Sequence, residues 1–190
     1  MATRKPAKDR PGTPIDNRNF LAPTGFKFSL KRSPAVAFFC NQANIPSLDL
    51  GTAVQPTYLK DIDVPGDKVQ FGDLTIRFLV DEDLKNFMEI QNWMRGLGYP
   101  ESLDQIRNFG ETGNRAMDQR GEERLYSDGT MTILNSSLVS NFLIKFQGLF
   151  PYSLTTLSFD ATDTDVEYFT AEASFKYTYY EITDLTGKTL

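Results

Sequence analysis

The segment VPGDKVQFGDLTIRFLVDE spans residues 64–82, and side-chain types alternate through its second half. Leu74, Ile76, Phe78 and Val80 fall on one side of the alternation, and Thr75, Arg77 and Leu79 fall on the other. Successive side chains of a β-strand point to opposite faces, so a period of two is typical of a strand with one buried face. We therefore expect a strand over residues 74–80.

An amphipathic helix is predicted directly after this strand. The alternation stops at the three acids of residues 81–83, and apolar residues then recur close to helical spacing, at Leu84, Phe87, Ile90, Met94 and Leu97. Acidic side chains suit a helix N-terminus because the helix dipole is positive there. We expect Gly96 and Gly98 to end the helix. Its face with Phe87 and Met94 should pack on the sheet rather than bind a cofactor or a membrane.

Two further features are predicted upstream. Residues 26–30 alternate between apolar and polar side chains, residues 32–34 are a turn sequence, and residues 35–40 are an apolar run. Together they predict a β-hairpin. The following polar segment, Gly51 to Phe71, contains Pro56, Pro65 and Gly66. Because proline is confined to edges and bulges of sheets, we expect this segment to be a projecting excursion.

The remainder is predicted to be a polar loop followed by strands. Residues 99–129 are polar and rich in glycine, which predicts a long loop. Strands are expected at 131–134, 142–150, 154–159 and 168–180, the last with Phe169, Ala171, Ala173, Phe175, Tyr177 and Tyr179 on one face. Residues 1–19 are basic, contain three prolines and predict a flexible arm. The sequence thus predicts one mainly β (α+β) domain, residues 20–190, with one helix.

Composition narrows the possible functions. The net charge is −5, and residues 151–190 hold all of the excess, with seven acids against two lysines. This distribution disfavours a protein that wraps nucleic acid, which needs clustered Lys and Arg. There is no histidine, so the commonest general base and metal ligand is absent. The single cysteine, Cys40, lies in an apolar run and is expected to be a buried, inert thiol, which favours intracellular assembly. No apolar run approaches the roughly 18 residues of a membrane span, and no secretory signal is expected.

Two acidic clusters allow alternative interpretations. Asp160, Asp163 and Asp165 offer oxygen ligands for a calcium ion, but the central glycine and distal glutamate of the familiar twelve-residue loop are absent, so a solvated turn is preferred. The acids of residues 81–83 offer a carboxylate for glycoside hydrolysis, but their place before a helix gives them a structural role. No cofactor is expected, and we predict that the protein is not an enzyme.

Several motifs in collinear order resemble the tail tube protein family of contractile-tailed bacteriophages. Residues 64–82 resemble that family's glycine-aspartate turn and strand, which lead through an acidic pair into a helix bearing a tryptophan, here Trp93. Three later segments are similar to the strand, glycine-aromatic-proline turn, short strand, acidic turn and closing aromatic strand of that family. They are residues 144–151 (IKFQGLFP), 157–160 (LSFD) and 166–169 (VEYF). The resemblance covers about residues 20–182 apart from the middle loop.

The resemblance implies an antiparallel β-sandwich or partly closed barrel with one flanking helix. It also implies six copies in a ring, and rings stacked into a tube that conducts DNA during ejection without binding it specifically. Similar subunits build type VI secretion tubes and baseplate tube initiators. The implied partners are further copies of the chain, the tail sheath, and baseplate or tail terminator proteins. The implied location is the virion tail, assembled in the host cytoplasm.

Candidate functional residues follow from these expectations. Contacts between subunits are expected on the 51–71 segment, at Thr57, Tyr58, Leu59, Asp61, Asp67 and Lys68. Acids lining the lumen are expected at Asp160, Asp163, Asp165 and Glu172. Because the N-terminal arm and the 99–129 loop exceed what a minimal tube subunit needs, a baseplate initiator or terminal ring is the alternative within the family. A different class, a carbohydrate-binding or carboxylate-dependent β-sandwich protein using Asp160, Asp163 or Glu167, also stays open.

Overall fold

The structure is a computed structural model, and it describes residues 20–98, 126–160 and 168–189. The predicted N-terminal arm, most of the predicted 99–129 loop, and Asp163, Asp165 and Glu167 lie outside the described residues. In chain order the elements are β1 (Phe26–Leu30), α1 (Pro34–Phe38), β2 (Cys40–Ala43), β3 (Leu48–Gln55), β4 (Ile62–Phe71), β5 (Leu74–Leu79), α2 (Lys85–Gly98), β6 (Ser127–Leu134), β7 (Ser140–Leu154), β8 (Thr170–Lys176) and β9 (Tyr179–Asp184).

Two antiparallel sheets share the long strand β7. Sheet A contains β1, β6, β7 and β9, and sheet B contains β7, β8, β5 and β2. Among the described residues β1 pairs only with β6 and β2 pairs only with β5, so the strands do not close into a full barrel. This arrangement confirms the prediction of an antiparallel β-sandwich or partly closed barrel with a flanking helix.

Strand β7 passes from one sheet to the other at a glycine and a proline. Residues 142–147 pair with β9 in sheet A, and residues 150–154 pair with β8 in sheet B. Gly148 has a φ of 67°, and the register shifts after Pro151. Proline is tolerated at such an irregularity because no ladder hydrogen bond is needed there. One strand therefore runs through Pro151 to Leu154, and the separate strand predicted at 154–159 does not form.

The core lies on the predicted face of β5. Leu74, Ile76 and Phe78 are fully buried, and they pair in register with the buried residues Phe175, Ala173 and Ala171 of β8. Ile76 and Phe78 lie opposite alanines, which allows close packing. Trp93 of α2 lies against Phe175, with ring centroids 6.2 Å apart. The predicted strand at residues 74–80 is confirmed.

Helix α2 packs on the core, but its ends differ from the prediction. The buried residues are Asn86, Ile90, Trp93 and Gly96, while Phe87, Met94 and Leu97 pack against the core more peripherally. Gly96 lies inside the helix, which continues to Gly98. No acid lies in the first turn, because Leu84 accepts the first helical hydrogen bond, from Met88 N–H at 2.9 Å. The acids at 81–83 precede the helix and do not cap it.

The hairpin predicted at residues 26–40 is wrong. Residues 34–38 form the short helix α1, with Pro34 in its first turn and Val36 fully buried. Proline suits that position because the first helical N–H groups have no intrahelical partner. Strand β1 forms as predicted, but it pairs with β6, which begins at Ser127 inside the predicted loop.

The single strand predicted at residues 168–180 is two strands. β8 ends at Lys176, and the chain turns at Thr178, whose N–H donates to the Gln147 carbonyl at 2.9 Å. After this corner the inward positions are Tyr180 and Ile182, which pack on the core. Tyr179 is more exposed, so its predicted place on the inner face is wrong.

Candidate assembly surface

Strands β3 and β4 form a separate two-stranded sheet. They pair from Leu48 opposite Phe71 at the base to Gln55 opposite Ile62 near the tip, and neither pairs with sheet A or sheet B. An isolated two-stranded hairpin is marginally stable in water because it has little to bury. The excursion predicted for Gly51 to Phe71 is therefore the larger part of a projecting hairpin.

Exposed apolar side chains cover this hairpin. They lie along both strands and at the tip, and they are Leu48, Leu50, Val54, Tyr58, Leu59, Ile62, Val64 and Val69. At the tip Tyr58 is 101% exposed and Leu59 is 90% exposed. Leu48, Leu50 and Val69 share one face of the ladder by register, and an exposed apolar patch of this kind marks contact sites in soluble proteins. The hairpin is the strongest candidate for an assembly surface among the described residues.

The hairpin depends on a close backbone approach near its middle. The register shifts between Leu50 and Thr52, so residues 66–68 of β4 bulge opposite Gly51. A Cβ atom on Gly66 would lie 2.5 Å from the Gly51 carbonyl oxygen. Only glycine fits there, because such a separation is well inside van der Waals contact.

The predicted contact residues fall in two places. Thr57, Tyr58, Leu59 and Asp61 lie at the tip, where the Thr57 hydroxyl bonds to the Lys60 carbonyl and accepts from Lys60 N–H at 3.3 Å. Asp67 and Lys68 lie in the bulge, away from the tip. The prediction missed the exposed apolar residues of the strands, such as Leu50 and Ile62. Their alternation with polar residues was the available signal.

The base of the hairpin is held by backbone and amide contacts. Gly72 N–H donates to the Ser47 carbonyl at 2.9 Å and joins the two legs. The Asn44 side chain donates to the Asp73 carbonyl at 3.0 Å and accepts from Thr75 N–H at 2.6 Å. These contacts tie the point where the hairpin leaves the fold to strands β2 and β5.

A polar network lies on the outer face of sheet B. Tyr152 donates to Asp73 Oδ2 at 2.6 Å, and Lys176 forms an ion pair with Asp73. The hydrogen bond from Lys176, followed by the one from Tyr152, lowers the pKa of Asp73 below its ordinary value. The hydrogen bond to Asp73 in turn raises the pKa of Lys176. The groups are solvent-exposed, so this network adds little stability.

The predicted lumen acids are only partly described. Asp160 is exposed at the end of a described stretch. Glu172 is exposed on β8, directly opposite Arg77 of β5, and Glu181 of β9 likewise faces Lys145 of β7. Opposite charges at such positions compensate each other. The charge of Glu172 is therefore balanced within sheet B.

The part of the chain that the structure describes does not support a metal site, a reactive cysteine or a membrane-spanning helix. It contains no group of three or more acidic, cysteine or histidine side chains placed to hold a metal ion. Cys40 is half-buried, and burial raises the pKa of its thiol to about 11, which keeps it protonated and unreactive. In the same residues, no helix has the length and apolar character needed to traverse a bilayer.

Comparisons with known proteins point in one direction. No protein-family model matches the chain. In sequence it is 26% identical over 166 residues to the tail tube terminator protein of Enterobacteria phage T4, covering 84% of this chain and 86% of that protein. In fold it is similar to a chain of the tube terminating cap of the anti-feeding prophage, with a TM-score of 0.55, 16% identity, and 90% and 95% of the two chains covered.

The chain is similar in sequence to a tail tube terminator protein and similar in fold to components of contractile-tail tubes. A second tube-family fold match is a chain of the sheath–tube complex of an extracellular contractile injection system, PVC, with a TM-score of 0.50 and 17% identity over 87% and 92% of the two chains. These relatives are named as tail and tube components, and none is named as an enzyme. The resemblance to contractile-tail tube proteins noted in the sequence is confirmed.

Proposed function

We propose that the chain forms a homohexameric ring that ends the tail tube of a contractile-tailed phage. The observation that carries this proposal is the sequence likeness to the T4 tail tube terminator over most of both chains. The fold likeness to the anti-feeding prophage cap supports it. The protein would reside in the virion tail and assemble in the host cytoplasm, as expected from the sequence.

The open edges of the fold support assembly with further copies. Strands β1 and β2 each have one side without a strand partner among the described residues. Unpaired strand edges favour pairing with another chain, and a closed ring gives every edge a neighbour. The exposed hairpin adds a second surface, and Thr57, Tyr58, Leu59, Asp61, Asp67 and Lys68 remain proposed contacts on it.

The proposed mechanism is passive. A terminal ring caps the last tube ring, meets the sheath and leaves an open channel for DNA. Acids near the channel, Asp160 with Asp163, Asp165 and Glu172, would repel the phosphate backbone and prevent adhesion. Repulsion of this kind acts over about 8 Å at physiological salt, which is enough to influence a narrow channel.

A subunit of the tube itself is the second candidate. The fold match to the PVC sheath–tube complex favours it, and a match of the same TM-score, 0.50, to a chain of the anti-feeding prophage baseplate keeps a tube initiator open. The hairpin and the open edges serve a stacked tube as well as a single ring. The candidates differ in whether rings of this chain stack on one another.

Electron microscopy and sedimentation of the purified chain separate these candidates. A terminal ring gives single rings whose size does not change as the protein concentration rises. A tube subunit gives tubes that lengthen with concentration. An initiator gives rings that start tubes when a separate tube protein is added, whereas a terminator stops such tubes from growing. Monomers alone at high concentration, without rings, would count against every member of this set.

A further inference from the structure

We propose that Tyr177 and Tyr180 are positioning residues that fix the direction in which the β3–β4 hairpin leaves the two sheets. The proposal concerns residues of β9 and of the corner before it, which lie more than 100 positions from the hairpin in sequence. Its consequence for ring assembly rests on the proposed function, but the orientation of the hairpin can be measured independently.

Four aromatic rings connect the hairpin to the core. Phe71, the last residue of β4, has its ring centroid 6.0 Å from Tyr177 and 5.5 Å from Tyr180. Both tyrosines also contact the fully buried Phe146 of β7, at 5.3 Å and 5.8 Å. Tilted and edge-on pairs at these distances are favourable beyond their buried area. The end of β4 is thereby packed onto a fixed point of the sandwich.

The two hydroxyl groups bind one leg of the hairpin each. Tyr177 donates to the Gly72 carbonyl at 2.9 Å, one residue after β4 ends. Tyr180 donates to the Pro46 carbonyl at 3.4 Å, two residues before β3 begins. The backbone and Asn44 contacts attach the base of the hairpin, and hydroxyl bonds to both legs further restrict its rocking. The pair of tyrosines therefore controls direction as well as attachment.

The corner between β8 and β9 brings both tyrosines to this place. The chain turns at Thr178, which packs against Gly148. A Cβ on Gly148 would lie 2.5 Å from Thr178 Oγ1, so a side chain has no room there. The positive φ of Gly148 also disfavours any other residue. Tyr179, between them, instead donates to Gln147 Oε1 at 2.6 Å and does not touch the hairpin. Burial raises the pKa of Tyr177 to about 12, so its hydroxyl remains a donor at working pH.

A fixed direction matters because ordering a mobile segment on binding costs free energy. A hairpin that already points toward its neighbour avoids that cost. The tyrosine-to-phenylalanine variants test this directly, since they keep all four rings and remove only the hydroxyl bonds. Tyr179→Phe is the matched control, because it removes the same kind of bond one position away.

The experiment measures hairpin orientation by pulsed electron paramagnetic resonance. Spin labels are placed at Tyr58→Cys on the tip and Ser136→Cys on an exposed turn, in a Cys40→Ala background, and spectra are recorded on the smallest species seen in sedimentation. The parent and Tyr179→Phe should give one narrow distance distribution. In Tyr177→Phe/Tyr180→Phe its width should roughly double, as expected for a locally released segment.

An unchanged width in the double variant overturns the proposal. If the double variant does not fold, as judged by near-ultraviolet circular dichroism, the two single variants carry the same test. Ring formation is measured on the unlabelled chains, which keep Tyr58. A broadened distribution in the labelled double variant with normal rings in the unlabelled one supports the positioning role and counts against the hairpin as an assembly contact. A narrow distribution with lost ring formation overturns the positioning role and leaves the proposed function standing.

Discussion

The side-chain amide of Asn86 donates a hydrogen bond to the Leu79 carbonyl over 2.7 Å, and so joins the start of helix α2 to the end of strand β5. The same side chain accepts from Asp81 N–H at 3.2 Å and from Phe87 N–H at 2.8 Å. Asn86 is fully buried. It therefore satisfies the backbone of the turn that connects the sheet to its flanking helix.

Replacing Asn86 with alanine should destabilise the fold. The variant removes the partner of the part-buried Leu79 carbonyl and of the Asp81 and Phe87 N–H groups, which costs about 2 to 3 kcal/mol of unfolding free energy. Asn92→Ala, at an exposed position of the same helix, is the control and should change stability by less than about 0.5 kcal/mol. Urea denaturation measures both, and equal effects would show that the buried hydrogen bonds contribute little.

The hairpin tip should matter for assembly and not for folding. Tyr58 and Leu59 bury no surface in the subunit, so Tyr58→Ser/Leu59→Ser should leave the melting temperature unchanged. Ring formation in sedimentation velocity should fall at least about tenfold, the effect of losing a small apolar contact. The conservative Tyr58→Phe/Leu59→Met variant should still assemble. Normal rings in the serine variant, or in a chain with a Gly-Ser linker in place of residues 51–71, would exclude the hairpin as a contact.

Gly66 and Gly51 face each other but should respond differently to substitution. A Cβ at Gly66 would lie 2.5 Å from the Gly51 carbonyl oxygen, whereas a Cβ at Gly51 meets nothing closer than the Lys68 carbonyl at 3.7 Å. Gly66→Ala should therefore raise backbone hydrogen exchange across the hairpin and reduce ring formation, while core exchange stays unchanged. Gly51→Ala should behave as wild type. Equal exchange in the two variants would contradict this account of the bulge.

Features with a local cause could be predicted from the sequence. The alternation of Leu74, Ile76 and Phe78 marks β5, because a buried face requires period two whatever lies around it. The prolines and glycines of the 51–71 segment likewise mark an excursion. Helix α1 could not be predicted, since the six-residue apolar run at 35–40 suits a buried strand equally well.

Structural features that depend on contacts between residues far apart in the sequence could not be predicted. The break between β8 and β9 depends on Gly148 accommodating Thr178, and nothing near Thr178 signals it. The hairpin anchor brings together Phe71, Phe146, Tyr177 and Tyr180 from separate strands. Which apolar residues of the hairpin stay exposed depends on its separation from both sheets, and that separation is a property of the whole fold.

Glu89 should make stability fall as the pH rises. Burial raises the pKa of its carboxyl, and Oε2 is buried without a hydrogen-bond partner among the described residues. As the pH rises, the unfolded chain releases this proton at a lower pH than the folded protein does. The free energy of unfolding therefore decreases between the ordinary glutamate pKa and the raised pKa of the folded state. Glu89→Gln should be more stable than wild type at neutral pH, and the difference should vanish below about pH 4.

Urea midpoints measured across this pH range test the effect of Glu89. Glu82→Gln, at an exposed position before the same helix, controls for the loss of one negative charge. A stability gain in Glu89→Gln that persists unchanged at acid pH would show that the cause is packing rather than ionisation.

The acid-rich segment that holds Asp160, Asp163 and Asp165 should affect DNA transit without affecting assembly. Asp160→Asn/Asp163→Asn/Asp165→Asn removes three negative charges from a segment rich in acids, and Asp160 at least is exposed, so little packing energy is lost. If these acids face the channel, phage carrying the variant should assemble normally and eject DNA more slowly, and low salt should enlarge the difference because screening is weaker.

Two controls make this last prediction specific. Glu172→Gln should have a smaller effect on ejection, because Glu172 lies opposite Arg77 and its charge is already compensated. Glu82→Gln/Asp83→Asn removes exposed acids that are not proposed to line the channel, and it should leave ejection unchanged. Ejection rates of the triple variant equal to wild type at low salt would show that these three acids do not act on the DNA path, since like-charge repulsion in a narrow channel is strongest under that condition.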